Sequence, residues 1–567
     1  MRSARLTTAL LLAAMVLIGL LIRLDGITGI GVGGNDTIFY YSLAEQWAEG
    51  HLSFQLGDSI VVFRPVLLAF NALALKLLGH TDYAIKLANV LLDVVNMSLL
   101  ALLAWLVSGR RLVVVASVAA YALLPIAIWS ARQELPHTLS TFFVLLSCLL
   151  AWLGTMAEGR KARARMLAAG VCLSGSAMVH EELILLAAPL ALFHVLGYIS
   201  RRGFAGWLSL VPGLALFCIP LLLTIALIAW QQPVQVSAAL GSPAGMSGMF
   251  LARYPEIFAR YLWNGVLGST STAFAICVGL CIVYYLVSSR RNARQYRDFL
   301  FGCGFCLFTP VLFMALYAPF FGTVFSRGVL PLIPLSIIAV FYTFAHLWGE
   351  RAAGMRAIVC TGVVGLFAVS GLASYSAFKV GNREFGKTWA GVTWPSPAAL
   401  REGYREFLTD ARYVPSYATH WRRLFDVFGD RVDSNARLLV TPSTVMHAAG
   451  RRALQTQVYL GDNAIYRLDH FDRSLEALIS EKRIRYVVFT LAQSRRPPAV
   501  HRPYRYRGRW GESRSVDLVS AYGMDPYSRM DEYQQVSHVM RRLGARELAL
   551  FPEGSYEKAI ARIWQLP

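Results

Sequence analysis

Long uncharged or nearly uncharged stretches recur through the first part of this chain, and a helix of about 20 apolar residues is what crosses a lipid hydrocarbon layer. They lie near Thr7–Ile22, Leu87–Val107, Leu112–Trp129, Leu139–Leu153, Ala168–Val179, Leu183–Tyr198, Leu208–Trp230, Gly265–Val287, Phe299–Phe321, Leu330–Trp348 and Ala357–Phe378. A soluble fold would have to hide all of that surface, and lipid need not. Backbone groups in hydrocarbon must be satisfied within their own segment, so these stretches are expected to be helices. After Phe378 they stop. The expected fold is a polytopic α-helical membrane protein of about eleven spans over residues 1–378, with a long first external loop at 23–83, followed by a soluble α/β domain over 379–567. Composition agrees, with 56% apolar residues, 16% charged residues and a mean hydropathy of +0.48.

Orientation follows from which connections are cationic. Alternate loops carry Arg110 and Arg111; Arg160, Lys161, Arg163 and Arg165; Arg201 and Arg202; Arg290, Arg291, Arg294 and Arg297; and Arg351 and Arg356. These loops and the N-terminus are expected in the cytoplasm, which puts the C-terminal domain outside it in a plasma (inner) membrane. Arg2 and Arg5 before the first apolar run resemble a signal peptide, but no small-x-small cleavage site follows, so the run is read as an uncleaved span. A net charge of +20 suits contact with anionic membrane lipid or an anionic substrate, and nucleic acid is a poor partner for an exported domain. All eight cysteines fall inside expected spans, so disulfides do not hold the exported domain together; Cys303 and Cys306 form a CxxC read as helix packing.

Beyond Lys379 the pattern changes. Arg437–Thr441, Gln457–Leu460 and Ile484–Thr490 read as short strands, with helices around Ser443–Leu454 and Ser474–Lys482, a βαβαβ-like alternation that suggests a partly parallel sheet. No glycine-rich phosphate loop follows any of these strands, which argues against a nucleotide site. Residues Ser494 to Arg514 form a basic, aromatic, proline-containing segment, either a solvated loop or a contact for a lipid-linked anion or headgroups.

Function in such a chain rests on polar residues near membrane depth, because burying ionisable groups there is costly. In the first external loop Asp36 directly precedes an amphipathic turn with Phe39, Leu43 and Trp47 at helical spacing, as in a helix lying in the interface. Arg64-Pro65 follows in the same loop, then Arg132 and Glu134, then His180-Glu181-Glu182, then Arg327 before LPLIP. All of them fall at expected external ends of spans. That shared depth is what a site at the outer face requires.

These motifs, in this order, resemble the GT-C superfamily of membrane glycosyltransferases, with the pattern of the protein O-mannosyltransferase-like and aminoarabinose-transferase-like branch. The resemblance covers about residues 7–350 and is strongest at the first loop and at RGVLPLIPL. It implies transfer of one sugar from a polyprenyl-phosphate-linked donor to a hydroxyl of a lipid, glycan or protein acceptor at the outer face, in cell-envelope glycan, lipid or protein glycosylation. It also implies that Asp36 is the base of an inverting displacement, that Arg64 and Arg327 bind the phosphate, and that Glu134, His180, Glu181 and Glu182 orient sugar or the cations. Where the family commonly shows two adjacent acids this chain has Asn35-Asp36, which disfavours a metal-binding version of the site, and no cofactor is expected. Where it commonly shows lysine and two prolines the chain has Arg64-Pro65-Val66, and arginine still suits a phosphate.

Each residue also has a structural use. Asp36 is a competent helix N-cap. Arg64 and Arg327 can snorkel to the interface. Glu134 and the His180-Glu181-Glu182 cluster suit packing or ion pairs, and Asp93 and Asn96 suit contacts between helices. A transporter or flippase of a lipid-linked sugar, and a non-catalytic envelope-assembly scaffold, are the rival classes. Transporters commonly show repeated halves with binding groups at the midplane, and no such repeat is visible here.

Overall fold

The computed structural model of the chain describes residues 2–24, 35–56, 60–61, 63–79, 83–203, 210–231, 272–292, 297–317, 330–347 and 358–365, and single positions at 27, 208 and 354. Of the C-terminal part it describes 386–389, 392–395, 438–441, 453–455, 475–477, 479–480, 483–492, 505–507, 513–515, 536–553 and 559–567. Contacts divide the chain into two units, one of residues 1–25, 63–67 and 86–413, the other of residues 26–62, 68–85 and 414–567.

The helices are α1 (Arg2–Leu24), α2 (Asn35–Ala48), α3 (Pro65–Leu78), α4 (Ala84–Ser108), α5 (Arg111–Ala122), α6 (Pro125–Ala131), α7 (His137–Met156), α8 (Gly159–Ala177), a 3-10 turn (Glu181–Leu186), α9 (Ala187–Arg202), α10 (Val211–Gln231), α11 (Thr272–Asn292), α12 (Arg297–Tyr317) and α13 (Ile333–Leu347). Among the described residues, seven helices are long and apolar enough to cross a membrane, and each coincides with an expected span. The third expected span is divided, because α5 ends at Ala122 and α6 restarts at Pro125, which has no N–H to continue the ladder. In α8 the first turns carry Arg160, Lys161, Arg163 and Arg165, which shortens its apolar part. Helix α11 overlaps the eighth expected span from Thr272 onward, and of the eleventh span 358–365 is described as helix.

Helix α4 shows the polarity of a protein dissolved in lipid. Its charged and amide side chains Lys86, Asn89, Asp93 and Asn96 are all buried, while Leu91, Val95 and Leu102 on another face are 52%, 43% and 45% exposed. In water that arrangement would be unstable on both faces. In a bilayer the apolar face meets acyl chains and the polar groups satisfy one another inside the bundle. Close helix approach depends on small residues: a Cβ on Gly170 of α8 would stand 2.2 Å from the Phe217 carbonyl oxygen of α10, so a larger residue there would force the helices apart. All eight cysteines are free thiols, and Cys303 and Cys306 are both completely buried.

In the second unit Tyr41, Leu43 and Ala44 of α2 are buried, and the Trp47 indole N–H donates to the Ser53 carbonyl at 2.7 Å while its ring meets Phe54 edge-on. That tryptophan fastens the turn after α2 to the helix. Residues Gln55–Leu56 (β1) and Ile60–Val61 (β2) pair antiparallel. In the first unit β3 (Gly386–Trp389) pairs antiparallel with β4 (Val392–Pro395), and in the second the strands toward the C-terminus are β5 (Leu438–Thr441), β6 (Ala453–Gln455), β7 (Tyr486–Ala492), β8 (Arg505–Arg507), β9 (Ser513–Ser515), β10 (Arg546–Glu553) and β11 (Ala559–Gln565). Five strands of the second unit form a mixed sheet in the order β10-β11-β7-β5-β6, with β5 parallel to both β6 and β7 and the other pairs antiparallel.

Strands β5 and β7 lie where alternation predicts them. Strand β6 corrects the expectation of a helix running to Leu454, because Leu438, Leu439 and Val440 pair with Ala453, Leu454 and Gln455 and tertiary ladder bonds override local helical preference. The strand expected at Gln457–Leu460 lies outside the described residues. Within the basic segment, Arg505–Arg507 pairs antiparallel with Ser513–Ser515, so this stretch includes a small hairpin.

Candidate functional site

Arg64 stands immediately before α3, and Pro65 takes the first helical position, where its missing N–H costs nothing and its ring disfavours a helical conformation in the residue before it. The guanidinium reaches across 117 positions of sequence to Glu181, with Nη2 at 3.3 Å from Oε2 and 3.4 Å from Oε1. The arginine side chain is 17% exposed and the glutamate 47% exposed, so the pair borders open space.

The acidic partner is aimed by the end of α8. After Ala177 the chain turns, the His180 N–H donates to the Ser176 carbonyl at 2.8 Å, and His180 itself is extended (φ −151°, ψ 103°) as it caps the 3-10 turn that starts with Glu181 and Glu182. Two carboxylates stand in the first turn, where the dipole of a helix start favours negative charge. His180 Nδ1 contacts Glu182 Oε2, and the His180 ring is 5.9 Å from that of His137, the first residue of α7. Donor atoms of His180, Glu181 and Glu182 all lie within 4.8 Å of one another, a donor set that could hold a divalent cation. Arg64 already supplies positive charge to Glu181.

Glu134 lies in the connection between α6 and α7 and meets a different cation. Its Oε1 is 3.0 Å from Lys86 Nζ, and both side chains are completely buried. Asn89, one helical turn along α4, donates to the Gln133 carbonyl at 2.7 Å, and Asn96 donates to the Thr138 carbonyl at 3.1 Å. The connection that carries Arg132, Gln133 and Glu134 is therefore strapped to α4 by side chains from a single helix face. Deeper along that face Asp93 accepts from Arg23 Nε of α1 at 2.7 Å, from the Tyr121 hydroxyl of α5 at 2.7 Å and from Asn96 at 3.2 Å. Asp93 and Asn96 are contacts between helices, as their position in a span suggested.

Of the expected residues, the structure brings Arg64 together with Glu181, and His180 with Glu182, and it pairs Glu134 with Lys86. Asp36 is the second residue of α2, and its side chain is outside the described part. Arg327 lies outside the described residues. The starts of α4 and α7 and the end of α8 carry this polar set; the basic connections lie at the opposite ends of the same helices.

No protein-family model matches the sequence, and no curated protein sequence matches it. Solved structures do. The crystal structure of ArnT from Cupriavidus metallidurans bound to undecaprenyl phosphate aligns with a TM-score of 0.53 over 97% of each chain at 10% identity, and the apo form of the same protein aligns with a TM-score of 0.54 over 97% of each chain at 12% identity. ArnT is a GT-C glycosyltransferase. The chain shares the fold of ArnT. At this identity the likeness is one of architecture.

Sequence reasoning missed Lys86, Arg23 and His137. A signal for the first was present: Lys86, Asn89, Asp93 and Asn96 recur at intervals of three and four through an otherwise apolar stretch, which puts them on one helix face. Arg23 and His137 gave no such signal, because their partners are 70 and 43 positions away.

Proposed function

We propose that this protein is a glycosyltransferase that moves a single sugar from a polyprenyl-phosphate-linked donor to an acceptor hydroxyl at the extracytoplasmic face of the plasma (inner) membrane. The observation that carries this reading is the Arg64–Glu181 pair, a partly open guanidinium beside a histidine and two carboxylates, in a fold shared with a protein crystallised with undecaprenyl phosphate. A polyprenyl phosphate is already a competent leaving group, so the reaction needs a base for the acceptor hydroxyl and cations for the departing phosphate. Arg64 offers a planar fork that fits a phosphate in two contacts, and its long bonds to Glu181 are easily exchanged for it. Arg327 is the second phosphate partner and Asp36 the base, with the anomeric centre inverted in one displacement. Glu181, Glu182 and His180 hold sugar hydroxyls, and Glu134 with Lys86 keeps the neighbouring connection in place.

The loop charges support an extracytoplasmic site and an extracytoplasmic domain over residues 379–567. A reporter fused after Pro567 is expected to be active only outside the cytoplasm; activity inside would reverse the orientation and place the polar set on the wrong face.

The direct test is transfer by purified protein in detergent, where no second compartment exists. Radiolabelled sugar should leave a polyprenyl-phosphate donor and appear on acceptor, whereas a transporter or scaffold would leave the donor intact. Arg64→Ala should cut turnover or donor affinity about 10- to 150-fold, the equivalent of a lost charge-assisted contact of about 1.5–3 kcal/mol, with the protein still monodisperse. Unchanged affinity and turnover would remove Arg64 from the site.

A further inference from the structure

The opposite ends of these helices hold a cavity. It has a volume of about 380 Å³ and lies among the last turns of α4, α7 and α9 and the first turn of α12. About 20 residues of α4 separate Lys86 from Leu106 in its wall, which at 1.5 Å per residue puts the cavity roughly 30 Å along the helix from the Glu134 contact. The two polar regions are therefore on opposite sides of a bilayer.

Its lining is split by chemistry. Leu106, Trp152 and Phe301 form an apolar wall, with the last two rings 5.3 Å apart. Ser200, Arg201 and Arg297 form a polar rim, to which Asp298 adds the one carboxylate. Arg201 donates to the Thr155 carbonyl at 3.4 Å and contacts Met156 Sδ, and Arg297 donates to Ser200 Oγ at 3.2 Å and to the Ser200 carbonyl. A third guanidinium, that of Arg165, caps α7 by donating to the Leu153 carbonyl at 3.0 Å. Each guanidinium has five donors, and the contacts of Arg201 and Arg297 among the described residues use two on each. Helix-end carbonyls thus hold the arginines at the rim while most of their donors remain for an anion. Neither arginine has a carboxylate partner among the described residues.

We infer that this cavity binds an anionic glycerophospholipid of the cytoplasmic leaflet, with its phosphodiester on Arg201, Arg297 and Ser200 and the start of an acyl chain along Leu106, Trp152 and Phe301. A basic rim joined to an apolar wall between membrane helices fits a lipid headgroup with its tail, whereas a free phosphate has no use for the wall. The leaflet assignment rests on the orientation given above. Retention of the lipid in detergent depends neither on orientation nor on sugar transfer, so failure of one reading leaves the other standing.

The test is native mass spectrometry of the full-length protein titrated with dioleoyl-phosphatidylglycerol and, separately, with dioleoyl-phosphatidylcholine. Phosphatidylglycerol adducts should be retained at least tenfold more tightly than phosphatidylcholine adducts. The difference should vanish in R201Q/R297Q, return in part in R201K/R297K, and be unaffected by R64Q at the other side. Equal retention of the two lipids, retention of phosphatidylglycerol by R201Q/R297Q at the parent's affinity, or displacement by millimolar inorganic phosphate would overturn the assignment. Should R201Q/R297Q fail to fold, a phosphatidylglycerol with a photoreactive group in its acyl chain tests the parent directly. Crosslinks to peptides carrying Leu106, Trp152 or Phe301 support the site, and crosslinks confined to other helices sink it.

Discussion

Asp36→Asn is expected to abolish sugar transfer while donor still binds. Asn is nearly isosteric with Asp and caps a helix as well, so any contribution of Asp36 to the start of α2 survives the change. The amide cannot take a proton from the attacking hydroxyl. Loss of a general base costs about a hundredfold to ten-thousandfold in rate. Steady-state transfer by the purified variant, measured beside donor binding, separates the two roles. Turnover within a few-fold of the parent would end the assignment of Asp36 as base. Glu181 would then be the next candidate, because it is 47% exposed, whereas Glu134 is completely buried against Lys86 and cannot reach an acceptor without breaking that pair.

The other large effect is on stability. Arg23 and Asp93 are a buried ion pair, 2.7 Å apart with side chains 0% and 1% exposed, and Arg23 also donates to the carbonyls of Gly19 at 3.0 Å and Ala122 at 2.9 Å. Through these bonds α1 is tied to α4 and to the end of α5. Gly19 permits the approach: a Cβ there would stand 2.8 Å from Met97 Cε and 3.2 Å from Ala122 Cβ. Asp93→Ala should destabilise the protein by about 3–5 kcal/mol, because it strands a guanidinium without a counter-charge and removes the acceptor of the Tyr121 hydroxyl. Replacing both partners by apolar residues of similar volume, R23M/D93L, should be far less damaging than either single change, since no charge is left buried alone. Thermal unfolding of the variants in one detergent reads the order directly. A midpoint for Asp93→Ala equal to the parent's would mean that the pair contributes nothing.

Much of this was legible in the sequence, for reasons that differ from element to element. Seven of the expected spans reappear as helices long and apolar enough to cross a membrane, since a membrane helix satisfies its backbone locally and needs only length and hydropathy to declare itself. Strands β5 and β7 were visible from alternation, but β6 was not, because a three-residue strand is created by its neighbour's ladder. The break before Pro125 is written in the chain, yet hydropathy runs through it while the backbone ladder cannot. The GT-C resemblance rested on Asp36, Arg64-Pro65, Glu134, the Glu181-Glu182 pair and Arg327 before LPLIP in order, and a fold shared with ArnT over 97% of the chain agrees with it at an identity of 10–12%.

By itself the sequence determined that the chain lives in lipid, which ends of its helices are cationic and which residue types stand at the other ends. Charge and hydropathy are sums over neighbours, so they can be read without a fold. Tertiary structure alone decided the pairings. Arg64 could have held Glu134 or Glu182, and Lys86 could have snorkelled away, but helix packing put Arg64 on Glu181 and closed Lys86 on Glu134 in a space with no exposure. Distances between side chains 48 to 117 positions apart depend on where whole helices cross, and crossing is settled by close contacts such as Gly170 on Phe217, which no local pattern encodes.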